Sequence, residues 1–241
     1  SDINKSHIDC DRVQDSYSFR CAPQVHGPMI DVLREARRIV SIEINSATDN
    51  PLVFSNNGNP EVISGGNFHG QILAIISDNM AICTHEIASI SERRINQVLD
   101  PQWSGQKAFL ANDEGLESGL MIVQYVAAAV IAELSLLSNP VSTTNVPVSM
   151  GKEDHVSMGA TGAYRTFKAS KLLSSVISSE LICSCQALDC IPENASDSVR
   201  KIHNWLRGYV SKIEGDRSTT EDTEIIAEKI LTSEFIDIFG E

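Results

Sequence analysis

The sequence predicts an all-α protein, a bundle of long helices with one small β-hairpin. Three observations carry that expectation. Apolar residues recur at three-to-four spacing over long stretches, Gly, Pro and Asn punctuation falls between those stretches, and only residues 51–63 combine β-prone runs with a turn cluster. The 241 residues can bury a sizeable core. With 19 Lys and Arg against 32 Asp and Glu, the formal net charge is −13, and no Lys/Arg-rich run occurs. That balance argues against nucleic acid or an anionic membrane surface as a partner and leaves a small metabolite or another protein.

Residues 1–10 form a polar stretch that starts without Met and reads as a linker or the start of a fragment. A central helical-bundle region follows over 11–190, with C-terminal helices over 191–241. In "DRVQDSYSFRC", Gln14, Tyr17 and Arg20 lie three apart, and on a helix they would fan across one broad face. Such a face is either solvated or grips something polar. "GPMIDVLREARRIVSIEINSATDNP" predicts a long amphipathic helix with Pro28 near its first turn and Ile30, Leu33, Ala36, Val40 and Ile44 on its apolar stripe. The turn chemistry of "TDNP" ends it, and "PLVFSNNGNPEVI" supplies the hairpin. Another long helix starts near Gly70 and runs through "ILAIISDNMAICTHEIASISERRINQVL".

Residues Gly119 to Leu137 are nearly apolar. Gln124 and Glu133 interrupt them and no basic flank follows, so the expectation is a helix buried on all sides rather than a membrane span. A further helix runs through "YRTFKASKLLSSVISSELICSCQAL", and the tail supplies two shorter amphipathic ones. Six cysteines (Cys10, Cys21, Cys83, Cys183, Cys185, Cys190) in a chain with no signal peptide predict reduced, mostly buried thiols and a cytoplasmic protein. The cluster "CSCQALDC" is expected to hold no metal, because C-x-C on a helix points opposite ways and no second pair completes a tetrahedral site.

Three short polar segments bracketed by Gly or Pro fit helix packing poorly: "VQDSYSFRC", "SGGNFHG" and "GKEDHVSMG". "SGGNFHG" lacks the Lys and spacing of a phosphate loop and reads as a turn opening a helix, with Phe68 available to line a pocket. "EDHVS" offers Asp154, His155 and Ser157, but no nucleophile elbow accompanies them, so a hydrolytic triad is not expected. Glu153 is either a general base or a cap of the following helix. The residues alone leave both open.

"RVQDSYSFRCAPQVHG", "EINSATDNPL", "GGNFHG", "GLESGLMIVQYVAAA" and "EDHVSMG", in that order, resemble the C-terminal half of histidine-specific members of the aromatic amino acid ammonia-lyase family. The resemblance covers Cys10 to Asp189 firmly and the tail loosely. It implies part of a larger ammonia-lyase fold, a homotetramer or a companion N-terminal segment, and elimination of ammonia from L-histidine to give trans-urocanate. The electrophile implied is a methylidene-imidazolone formed from Ala-Ser-Gly, a triplet that none of the 241 residues supply. By the same resemblance, Arg20 grips the substrate carboxylate, Gln14 adds a polar contact, and Tyr17 acts near the reacting carbons. Phe68 packs on the substrate ring and Glu153 faces the imidazole. Family members commonly read Asn-Gln just before that Glu, where this chain reads Gly151-Lys152; Glu117 stands where a smaller amide is common. The competing expectations are a tyrosine or phenylalanine ammonia-lyase fragment, and a helical oligomerisation module without catalysis.

Overall fold

In the computed structural model, which describes residues 8–191, 195–232 and 234–238, two long parallel helices form the spine. One is α3, Gln71–Leu99, and the other is α6, Gly159–Cys190. Thr166 Oγ1 donates to the Ser77 carbonyl at 2.8 Å and Ser91 Oγ to Glu180 at 2.5 Å, both across a separation of 89 residues, so the pair runs side by side in one register. Small residues make this possible. A Cβ on Gly162 would lie 3.0 Å from that of Ser77, one on Gly159 would lie 3.2 Å from the Gly70 carbonyl, and Ala74, Ala88 and Ala169 are fully buried. Pro101 stops α3 by forcing Asp100 into extended backbone (φ −94°, ψ 119°), and the Asp100 carboxylate then caps the one-turn α4, Pro101–Ser104, through Gln102 N at 2.9 Å.

Before the spine come a one-turn helix α1, Tyr17–Arg20, and α2, Ala22–Glu43. Helix α2 starts five residues before the predicted position: Pro23 takes the first-turn place, and Pro28 lies inside the helix. Its predicted apolar stripe is also corrected. Ala36 and Ile39 pack on Ile76, Leu73 and Met80 of α3, whereas Ile30, Leu33 and Val40 are exposed and Ile44 stands past the helix end. The hairpin appears as expected, with β1, Leu52–Asn56, antiparallel to β2, Asn59–Ile63. Asn57 and Gly58 both take positive φ (50° and 84°), as a two-residue primed turn requires.

Helix α5, Met121–Leu137, lies against the spine through Val123, Ala127 and Leu134. It is not buried on all sides. Ile122, Tyr125, Val126 and Leu136 face outward, because the described chain covers one face of α5 only. The C-terminal α7, Asp197–Arg207, and α8, Thr220–Leu231, add Leu206 and Ile226 to the core that holds Ile95, Leu99, Val176 and Ile182, and a single turn α9, Glu234–Asp237, follows. No helix of the described residues is long and apolar enough to cross a membrane. Cys83, Cys183 and Cys185 are buried, Cys21 is half-buried, and Cys10 and Cys190 are exposed. Burial pushes the Cys183 thiol up and the Cys185 thiol to about 11, so both stay protonated near neutrality. Among the described residues no group of three His, Cys, Asp or Glu side chains is placed to hold a metal ion.

Candidate functional site

Arg20 donates Nη1 to Gln14 Oε1 at 3.0 Å, so the two polar residues do meet. They do not meet on a helix face: α1 begins at Tyr17, and Gln14 reaches Arg20 from the irregular segment before it. Among the described residues the Arg20 guanidinium pairs with no carboxylate, although the chain carries 32 Asp and Glu. Tyr17 is 67% exposed and its hydroxyl makes no hydrogen bond among the described residues. This group rests on the C-terminal end of the spine. The Arg12 guanidinium lies 5.8 Å from the Trp103 ring centre and donates to the Trp103 carbonyl, and Phe19 borders a cleft of about 350 Å³ shared with Val98, Trp103, Gln106 and Ala187.

Phe68 and Glu153 lie at the other end. Each sits in a loop that enters one spine helix: Phe68 precedes α3 at Gly70, and Glu153 stands six residues before Gly159 opens α6. The loops are tied to each other. His69 Nε2 lies 3.0 Å from the His155 carbonyl, which fixes the donor as the protonated Nε2, and the two rings stack with centres 5.5 Å apart. Asn145 braces the second loop, donating Nδ2 to Asp154 O at 2.8 Å and accepting from Val156 N at 2.9 Å. His155 therefore serves loop architecture, and no Ser-His-Asp relay forms.

Glu153 does not cap α6. Met158 holds the N-cap position without a side-chain bond, while the Glu153 backbone pairs with Val148. Its carboxylate is exposed and makes no hydrogen bond or ion pair among the described residues, with Lys152 included. Ser149, Met150 and Gly151 all take positive φ (52°, 56° and 79°), giving a tight left-handed turn immediately ahead of it. Glu117 has a structural task instead: Oε2 accepts Asn112 N at 2.9 Å and shapes the loop before α5.

The five predicted site residues thus form two groups, Gln14/Tyr17/Arg20 and Phe68/Glu153. The 29 residues of α3 separate them by about 40 Å at the helical rise of ~1.5 Å per residue. One copy of the chain does not bring them together. His69 and Asn145 were missed by sequence reasoning, and His155 was weighed only as a member of a triad; the two histidines lie within "GGNFHG" and "EDHVSMG", and their mutual contact was the absent signal.

The sequence matches the family described as aromatic amino acid lyase over residues 1–208. It is 40% identical over 237 residues to the histidine ammonia-lyase of Myxococcus xanthus, covering 98% of this chain and 46% of that protein. It is 41% identical over 239 residues to that of Deinococcus radiodurans, covering 99% and 45%. Among solved structures, histidine ammonia-lyase from Trypanosoma cruzi matches with a TM-score of 0.88 at 37% identity, over 93% of this chain and 44% of that one. Pantoea agglomerans phenylalanine aminomutase matches at 0.86 and 32%, over 95% and 46%. The chain spans about half the length of the curated relatives it matches. A family match over most of the sequence, joined to relatives of the same fold along nearly its whole length, makes this chain a member of the aromatic amino acid lyase family.

Proposed function

We propose that this chain provides the substrate-gripping half of a cytoplasmic histidine ammonia-lyase, which eliminates ammonia from L-histidine to give trans-urocanate. The observation that carries the reading is Arg20: an exposed guanidinium, oriented by Gln14 and matched by no carboxylate among the described residues. A planar fork in that state suits the α-carboxylate of an amino acid through two parallel hydrogen bonds. The Tyr17 hydroxyl three residues away, unpaired among the described residues, fits a group that orients the substrate or relays a proton near the reacting carbons. Phe68 offers an exposed ring face and Glu153 a carboxylate that is unpaired among the described residues and can accept an imidazole N–H.

The β-proton of histidine is weakly acidic and its amine a poor leaving group, and the methylidene-imidazolone group supplies, when present, the electrophile that this elimination needs. No Ala-Ser-Gly occurs here to form it. The exposed Tyr17 hydroxyl fits a residue facing such a group across a boundary with another chain segment. The separation of the two residue groups supports a site shared between copies, as in a homotetramer. Histidine is preferred over tyrosine or phenylalanine because Glu153 offers an acceptor that an all-carbon ring cannot use, and because the curated relatives cited above carry the histidine ammonia-lyase name.

The test is urocanate formation, followed by ultraviolet absorbance. The chain alone should give none; joined to an Ala-Ser-Gly-bearing N-terminal half of a relative, it should turn over histidine in preference to phenylalanine and tyrosine. Turnover by the chain alone would contradict the requirement for an outside electrophile. Preference for tyrosine or phenylalanine would favour the aromatic-substrate lyase, and no turnover of any amino acid by a folded assembly would favour the oligomerisation module.

A further inference from the structure

A guanidinium only donates, so a histidine nitrogen that accepts from it belongs to a neutral imidazole. Arg94 of α3 donates Nε and Nη2 to the two carboxylate oxygens of Glu180 on α6, the latter at 2.9 Å, and Ser91 Oγ adds a third donor to Glu180 at 2.5 Å. The remaining nitrogen, Nη1, lies 3.4 Å from Nε2 of His26, which stands in the second turn of α2. A guanidinium has donors only, so this contact exists only when His26 is neutral, with a lone pair on Nε2 and its proton on Nδ1. Protonation would place a second cation against Arg94. The charged groups acting on His26 are Arg94 from α3 and Glu180 from α6. Burial and then Arg94 push its pKa below the ordinary 6.5, and Glu180 opposes them.

His26 is six residues beyond Arg20, and Cys21 ties the two helices together between them: its N bonds to the Tyr17 carbonyl at 2.9 Å, and its own carbonyl accepts Val25 N at 3.1 Å, joining α1 to α2. We infer that His26 is a positioning residue for Arg20: while neutral it anchors the start of α2 to the Arg94–Glu180 pair, and its protonation loosens the segment that presents Tyr17 and Arg20. The functional part of this inference rests on the reading of Arg20 as the carboxylate grip; the structural part does not. The sign follows directly. A histidine whose folded pKa lies below its unfolded value withholds a proton that the unfolded chain accepts, so the anchor is intact above pH 6.5 and weakens as pH falls through the folded pKa.

Two measurements test it. In the chain itself, histidine-selective ¹⁵N NMR should find His26 protonated on Nδ1 at neutral pH and titrating below 6.5, and the backbone amides of Tyr17 to Arg20 should shift along the same curve. In His26→Gln, whose amide oxygen accepts from Arg94 at every pH, those amides should stay still. Titration at or above 6.5, or still amides in the wild-type chain, overturns the inference, and this arm needs no variant that folds. In the assembled lyase, KM for L-histidine should rise several-fold through the same pH range while kcat changes less. The substrate's imidazole titrates nearby, so His26→Gln, run alongside, reports that contribution alone and should show the smaller rise. Equal rises in both proteins overturn the inference. Absence of any histidine turnover would instead count against the lyase reading, with the NMR arm still deciding the role of His26.

Discussion

Glu153 is the residue at which a structural and a chemical role part most cleanly. As a helix cap it would stabilise α6, and its loss would cost roughly 1 kcal/mol. It caps nothing: it stands six residues ahead of Gly159, with its backbone paired to Val148 and its carboxylate free among the described residues. Glu153→Gln should therefore leave the melting temperature unchanged while lowering kcat for histidine by about 10²-fold if the carboxylate also takes a proton. The preference for histidine over phenylalanine should shrink with it. A thermal melt beside kcat/KM for both substrates decides the matter, and a lowered melting temperature with intact turnover would mean a purely structural glutamate. At this scale the sequence was legible in residue type and opaque in environment. "EDHVSMG" marks Glu153 as a carboxylate in a polar loop, but whether that loop meets the helix, and that His155 meets His69, depends on contacts 86 residues apart.

Punctuation decides the elements, and it acts most simply where its effect is local. Pro101 ends α3 and Asn57-Gly58 turns the hairpin because each imposes its backbone on its neighbours whatever lies beyond. Two prolines compete at the start of α2, and periodicity does not say which face of that helix meets a partner, so Pro28 misplaced its start and Leu33 was misassigned to its covered side. Gly119 shows tertiary punctuation. Its φ is +53°, a Cβ there would lie 2.5 Å from the Phe109 carbonyl, and the N–H groups of Ser118 and Gly119 converge on the Asp216 carboxylate at 2.9–3.0 Å. Nothing in "GDRSTTED" announces that Asp216 crosses to the start of α5. Gly119→Ala should lower stability by at least about 1–3 kcal/mol from backbone strain alone, since the opposing atom is backbone that cannot rotate away. Gly27→Ala should act oppositely. Gly27 lies inside α2 with nothing within 4 Å of the added Cβ, so alanine should raise stability by about 0.5–1 kcal/mol. Urea midpoints of the two variants against wild type test both signs, and an unshifted Gly119→Ala midpoint would contradict the strain argument.

For the molecule as a whole, the long parallel spine imposes a distance that no loop movement removes. Arg20 is held near one end by Arg12 on Trp103 and His26 on Arg94, and Glu153 near the other by the His69–His155 tie. A substrate the size of histidine cannot bridge about 40 Å. If both residues serve one site, they come from different copies, and the outward-facing apolar side chains of α2, α5 and α6, including Leu33, Tyr125 and Phe167, give those copies surface to bury against one another. Mixing two inactive proteins then becomes a measurement of geometry. If Arg20 is the carboxylate grip and Glu153 the imidazole acceptor proposed above, Arg20→Ala lyase lacks the first in every site and Glu153→Ala lyase lacks the second in every site. Unfolded together and refolded at equal amounts, they should assemble sites at random, and about a quarter of these should draw an intact Arg20 from one copy and an intact Glu153 from another. Activity should reappear toward that fraction of wild type, with wild-type KM, because each restored site is complete. Mixing the folded homo-oligomers without exchange should restore nothing, which controls for activity arising from mere co-incubation. If Arg20 and Glu153 instead acted within one copy, every site would keep one defect and no mixture would recover; a flat titration across mixing ratios, with hybrid oligomers confirmed by mass, would show that the two residues are not joined in one site across copies.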